Sequence, residues 1–171
     1  MPTALLTTDR LTADEPAKVN ATLTDTGLSF AVTSGVYYRF RFHILYSSSA
    51  TSIGIKIGLT TPAFTRFGAI VRVLAGSSSN LGEHTGAITA SGGSVVTPNV
   101  VTINTNYVAV IEGVLLPSAN GTLMVQYASE ATTAVTMKQG SSGELIEEAP
   151  AAVAVAIRRR TVLQAVQRAT Y

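Results

Sequence analysis

The alternation in Gly35-Val-Tyr-Tyr-Arg-Phe-Arg-Phe-His-Ile-Leu-Tyr46 constrains the fold more than any other feature of the chain. In an extended strand, successive side chains point to opposite faces of the sheet. Val36, Tyr38, Phe40, Phe42, Ile44 and Tyr46 then form one apolar stripe, which predicts the core side of a strand. Tyr37, Arg39, Arg41, His43 and Leu45 form the other stripe, which is mixed and polar. Three of the six tyrosines and one of the two histidines sit in this one segment. Aromatic rings interleaved with arginines can bind bases, sugars or phosphates, so the polar stripe is the first candidate site. Arg39 and Arg41 lie two residues apart on one side, where a carboxylate such as Glu112 or Glu130 could meet them. We expect Tyr37, Arg39, Arg41, His43, Glu112 and Glu130 to mark a subunit interface.

The rest of the middle of the chain has the same period. Leu28, Phe30 and Val32 alternate, as do Ile53, Ile55, Ile57 and Leu59. Ala69–Ala75, Glu83–Ala90, Tyr107–Leu115, Thr122–Ala128, Val135–Gln139 and Gly143–Ile146 read as further strands. Turn-forming clusters separate them: Thr33-Ser34-Gly35, Thr61-Pro62, Ser91-Gly92-Gly93 and Pro117-Ser-Ala-Asn-Gly121. Eight or nine short strands without helical periodicity predict an all-β antiparallel sandwich over residues 27–147. Residues 1–26 are polar and irregular and read as an extended N-terminal arm.

Residues 148–171 read as a C-terminal α-helix. Glu147-Glu148-Ala149-Pro150 ahead of an alanine-rich run is a helix N-terminus signature. Val155, Val162 and Val166 lie along one stripe of that helix, and Arg158, Arg159 and Arg160 suit its later turns. Alone, such a helix is marginal in water, so it is expected to anchor on a neighbour. Three adjacent helical arginines fan out by about 100° each and form no single basic patch.

Composition narrows the classes of function. Of the 171 residues, 46% are hydrophobic and only 13% charged, against about 25% charged in an average soluble domain. So little charge favours a chain whose neighbours cover part of its surface. The formal charge is +2, which gives no chain-wide basic surface, so nucleic acid is not an expected partner. The absence of cysteine excludes disulfides and thiolate metal sites. No secretory signal is legible near Ala4-Leu5-Leu6. The run from Ala149 to Ile157 is far shorter than the roughly 20 residues of a membrane span.

Catalytic motifs are not found. His43 and His84 have no His-x-His or His-x-x-x-His spacing. Gly-x-Ser-x-Gly is missing, since Gly140-Ser-Ser-Gly143 lacks the nucleophile-elbow spacing. The Gly-rich loops around Gly76 and Gly92 precede no Gly-Lys-Ser/Thr. No cofactor, no metal and no enzymatic activity are expected.

Gly35-Val-Tyr-Tyr-Arg-Phe-Arg-Phe-His-Ile resembles the glycine-then-aromatic strand of the C1q/tumour-necrosis-factor-like jelly rolls. Gly27-Leu-Ser-Phe-Ala-Val, the segment Pro117-Ser-Ala-Asn-Gly-Thr-Leu-Met-Val-Gln-Tyr-Ala-Ser-Glu130 and Val135-Thr-Met-Lys-Gln-Gly-Ser141 resemble small structural proteins of tailed bacteriophages. The resemblance covers about two thirds of the chain. It implies a jelly-roll sandwich, a trimer, and a non-enzymatic place in a virion, as a head decoration or minor capsid protein bound to capsid or tail proteins. Assembly in the host cytoplasm follows from that. The alternative is a tail-fibre, receptor-binding or carbohydrate-binding module, in which Tyr37 and Tyr107 would stack on a surface glycan. The C-terminal helix departs from the compact ending that the resemblance implies.

Overall fold

A computed structural model describes residues 5–77, 80–97 and 99–148. The described residues form eleven antiparallel strands and no helix: β1 (Leu5–Arg10), β2 (Thr24–Val32), β3 (Tyr37–Ser48), β4 (Ile55–Thr60), β5 (Phe64–Ser77), β6 (Asn80–Ile88), β7 (Ser94–Val96), β8 (Tyr107–Pro117), β9 (Gly121–Ser129), β10 (Val135–Met137) and β11 (Ser142–Glu148). The expected C-terminal helix, with Val155, Arg158, Arg159, Arg160, Val162 and Val166, lies outside the described residues.

The strands make two sheets. The larger runs β1-β11-β3-β8-β5-β6, with β10 pairing the end of β3, and the smaller runs β2-β9-β4-β7. Four pairings are nested around the middle of the chain: β1 with β11, β2 with β9, β3 with β8 and β4 with β7. The first and third pairs lie in the larger sheet, and the second and fourth in the smaller. The β5–β6 hairpin interrupts the innermost pair and adds two strands beside β8.

The core between the sheets follows the period-two rule that the sequence announced. Tyr38, Phe40, Phe42, Ile44 and Tyr46 are buried, and Val36 packs partly buried against them. From the facing sheet come Leu28, Phe30, Ile55, Ile57, Leu59, Leu123, Val125 and Tyr127. The Phe42 ring lies 5.6 Å from that of Phe30 and 5.9 Å from that of Phe40, within the range where tilted aromatic pairs attract. Tyr46 and Tyr127 are fully buried but keep a partner each, as buried hydroxyls must. The Tyr46 hydroxyl donates to the Leu74 carbonyl at 3.2 Å, and the Tyr127 hydroxyl to that of Pro16 at 2.6 Å.

Residues 1–26 do not form a free arm in the part that is described. Leu5–Arg10 pair with β11 along their whole length. The connection that follows is stitched to β10, with Lys18 and Val135 exchanging amide bonds of 2.8 and 2.9 Å. Its Asp14 carboxylate accepts from the Gln139 amide at 2.8 Å and from Lys138 Nζ at 2.9 Å. These bonds satisfy backbone and charged groups that a short polar segment could not satisfy alone. Among the described residues, the larger sheet therefore already includes Leu5–Arg10, ahead of the boundary expected at residue 27.

Candidate functional site

The outer face of the larger sheet is built by register. Cross-strand partners share a face, so the pairings place side chains in rows across the strands. The central row holds Glu144, Arg41, Glu112 and Ile70 from β11, β3, β8 and β5. On one side of it come Ser142, His43, Val110 and Arg72, and on the other Ile146, Arg39, Val114 and Gly68. Outermost are Leu45, Val108 and Leu74 at one end, and Glu148, Tyr37, Leu116 and Arg66 at the other.

This face is apolar where it should be polar if it were only a solvated surface. Leu6, Tyr37, Ile70, Leu74, Val108 and Val114 stand 39–56% exposed on it. They are six of the ten large hydrophobic side chains exposed among the described residues, so the exposure is concentrated rather than scattered. The outer face of the smaller sheet is less apolar: Met124 and the exposed Val96 stand on it among Ser29, Ala31, Lys56, Gly58, Thr60, Thr122 and Gln126.

Its charges are interlaced, with one arginine in excess. Arg10, Arg39, Arg41, Arg66 and Arg72 stand beside Glu83, Glu112, Glu144 and Glu148. Arg39 pairs with Glu148, and Arg41 with Glu112. Arg72 Nε lies 3.7 Å from Glu83, and its Nη1 lies 4.0 Å from Glu112. In water, such pairs contribute about 0–1 kcal/mol each, so they orient the face more than they stabilise the fold. A groove of about 340 Å³ opens between Arg41, His43, Arg72, Leu74, Val108 and Glu112.

Of the sequence-predicted site residues, Tyr37, Arg39, Arg41, His43 and Glu112 come together here. Glu130 does not. It follows β9 at the end of the smaller sheet, where its carboxylate accepts from the Gly54 amide at 3.0 Å. The Gly54 that it caps is itself closely packed: a Cβ there would sit 1.7 Å from the Thr97 carbonyl oxygen. Tyr107, expected to stack on a sugar, is buried against Tyr46 with centroids 5.9 Å apart, and its hydroxyl accepts from the Thr102 amide. Tyr107 pairs with Tyr46 across β3 and β8 and so shares the core face.

Sequence reasoning missed Ile70, Arg72, Leu74, Glu83 and Glu148. The alternation Ile70-Val-Arg-Val-Leu74 held the only signal, because the hairpin's place beside β8 is a long-range pairing. Glu148 was assigned to the start of a helix, whereas it is the last residue of β11, opposite Tyr37. Among the described residues, no three of His, Asp and Glu converge as metal ligands would, and no helix is long and apolar enough to cross a membrane.

No protein-family model matches the chain, and no curated protein matches its sequence. Solved structures offer distant likenesses. The N-terminal modules of endo-1,4-beta-D-xylanase 10B from Clostridium thermocellum, complexed with xylohexaose, match 85% of this chain at 12% identity and a TM-score of 0.36. Eiger TNF from S. frugiperda matches 82% at 12% identity and 0.28, and the VP2 subviral particle protein of infectious bursal disease virus matches 87% at 9% identity and 0.26. This chain spans 25% of the xylanase chain, 42% of the VP2 chain and 94% of the Eiger chain. The architecture given above rests on the chain's own strand pairing.

Proposed function

We propose that this protein is a non-enzymatic structural component of a bacteriophage virion, a homo-oligomeric head decoration or minor capsid protein. The observation that carries the oligomeric part is the outer face of the larger sheet. It gathers exposed apolar side chains among interlaced ion pairs, which suits a surface covered by another subunit. The nested pairing of β1 with β11, β2 with β9, β3 with β8 and β4 with β7 supports a jelly roll, with β5–β6 inserted in its innermost hairpin. The virion assignment rests on the sequence resemblance. Three copies is the number that resemblance implies, and nothing in the charges of the face requires it. Attachment to capsid or tail proteins belongs to the same proposal.

A carbohydrate-binding role is not favoured. It loses Tyr107 to the core and, among the described residues, keeps Tyr37 as the one exposed large aromatic ring, whereas sugar platforms need flat aromatic area.

The test is location. Particles released by the cells that carry the gene are purified and labelled with an antibody to this chain. Regularly spaced label on heads or tails is expected, together with stoichiometric amounts of the chain in the particle's protein profile. Particles that lack the chain would refute the virion role.

A further inference from the structure

We infer that two copies of the chain pair face to face through the larger sheet, about a twofold axis running along the strands between β3 and β8. This rests on reading the face as a subunit interface, and it fixes the symmetry of that interface. A surface that meets its own copy closes as a pair; a threefold contact would have to bring it against a different surface. The smaller sheet's outer face offers only Met124 and Val96 as large apolar side chains among small and polar ones, so it covers Ile70, Leu74, Val108 and Val114 less well. The best-matched occupant is a second copy of the same face.

Register selects the axis. A twofold between β3 and β8 lays β3 of one copy over β8 of the other, and β11 over β5, with each row opposite itself. Arg41 and Glu112 are direct cross-strand partners at the middle of the six strands. The axis therefore sets Arg41 of each copy over Glu112 of the other, and the four groups form a square of alternating charge. Strands lie about 4.8 Å apart and packed sheets about 10 Å apart, both within reach of an arginine side chain. Elsewhere Arg39 falls over Val114, Arg72 over Ser142, and Glu148 over Arg66. No row sets like charge against like. Moving the axis onto β3 would put Arg41 over Arg41, and moving it onto β8 would put Glu112 over Glu112.

The size is sufficient. Six strands give about 24 Å across, and the eight rises from Tyr37 to Leu45 give about 27 Å along, hence roughly 650 Å² of flat area before side-chain relief is added. Stable interfaces bury about 800 Å² per partner.

The experiment uses two single variants of the full chain, Glu112→Arg and Arg41→Glu, with mass measured by light scattering behind size exclusion. The wild type is expected at twice 17.8 kDa. Each variant alone sets four like charges together and is expected to self-associate at least ~100-fold more weakly, since opposed like charges cost several kcal/mol. Mixed in equal amounts, the two are expected to form a one-to-one dimer, because every Arg then faces a Glu. A variant that failed to fold could not be rescued by mixing. The double variant R41E/E112R covers that case: it is expected to dimerise with itself and not with wild type. A wild-type monomer at micromolar concentration would overturn the interface. A trimer, variants that keep the wild-type mass, or a mixture that stays monomeric would overturn the twofold. Absence of the chain from particles would remove the virion reading and leave each of these outcomes as it stands.

Discussion

Gly113 is the position where one added methyl group would test the packing beneath the face. It lies on β8 opposite Phe40, with its missing side chain directed into the core. A Cβ there would stand 2.4 Å from Phe40 Cζ, 2.5 Å from the Gly68 carbonyl oxygen and 3.0 Å from Ala69 Cα. The ring has little room to yield, because Phe40 is buried with Phe42 and Phe67 at centroid distances of 5.9 and 6.4 Å. The Gly68 oxygen belongs to the β5 backbone and can move only if β5 shifts away from β8. Overpacking of this kind costs about 1–3 kcal/mol, while replacing a strand glycine by alanine returns roughly 0.5–1 kcal/mol. Two contacts near 2.5 Å put the overpacking in the upper half of that range, about 2–3 kcal/mol, so Gly113→Ala should lose about 1–2.5 kcal/mol. At about 2–4 °C per kcal/mol for a chain of this size, Tm falls by roughly 2–10 °C. Thermal unfolding at one fixed protein concentration reads this without interference from association. Phe40→Leu in the same chain should relieve the ring contact but not the carbonyl contact, so the cost shrinks without vanishing. A Gly113→Ala protein as stable as wild type would refute the close packing of β5, β8 and Phe40.

Three further outcomes are expected. Asp14 has its carboxyl held below the ordinary 3.8, first by the Gln139 amide and then by Lys138. Its contribution is present above that value and lost as pH falls through the lower folded pKa, so Asp14→Asn should flatten the acid limb of the stability profile and speed exchange of the Gln139 amide. Burial pushes the Tyr127 hydroxyl from 10.0 up to about 12 and raises Tyr46 further. The unfolded chain ionises first, so stability should fall as pH rises from 10 to about 12, and Tyr127→Phe should remove part of that slope at a cost of about 1 kcal/mol for the lost bond to Pro16. Glu130→Gln should leave the oligomeric mass unchanged, because Glu130 lies off the face; a change in mass would place it back in the interface.

The segment 36–46 was legible because every second residue is large and apolar, and each of those side chains is buried or half-buried in the sandwich. The same rule applied to Ile55, Ile57 and Leu59, and to Leu123, Val125 and Tyr127. It failed for β1, whose Leu5-Leu-Thr-Thr-Asp-Arg10 has exposed leucines and no buried stripe. That strand is defined by backbone pairing to β11, more than 130 residues later, and no local pattern carries such a pairing. β7 is three residues long and too short for periodicity. In the candidate site, the polar stripe of β3 and the partner Glu112 were readable, since one strand's alternation fixes which residues share a face. Glu148, Arg72 and Ile70 were not, because the order of strands in the sheet decides their neighbours.

The inserted hairpin connects fold to interface. With β1, β11, β3 and β8 alone, the middle of the sheet would fall between β11 and β3, where Glu144 faces Arg41 across the strands. Adding β5 and β6 beside β8 moves the middle one strand over, between β3 and β8. That is where Arg41 is paired with Glu112, and where Arg72 of the hairpin reaches the same carboxylate from the other side. The hairpin also gives β11 of the opposite copy a strand to lie against, so that Glu148 finds Arg66. Its inward residues Val71, Val73 and Ile88 are buried in the core, so hairpin and sandwich fold as one body. A rigid, widened sheet presents its charges at fixed spacing, which is the condition under which register alone can choose a symmetry axis.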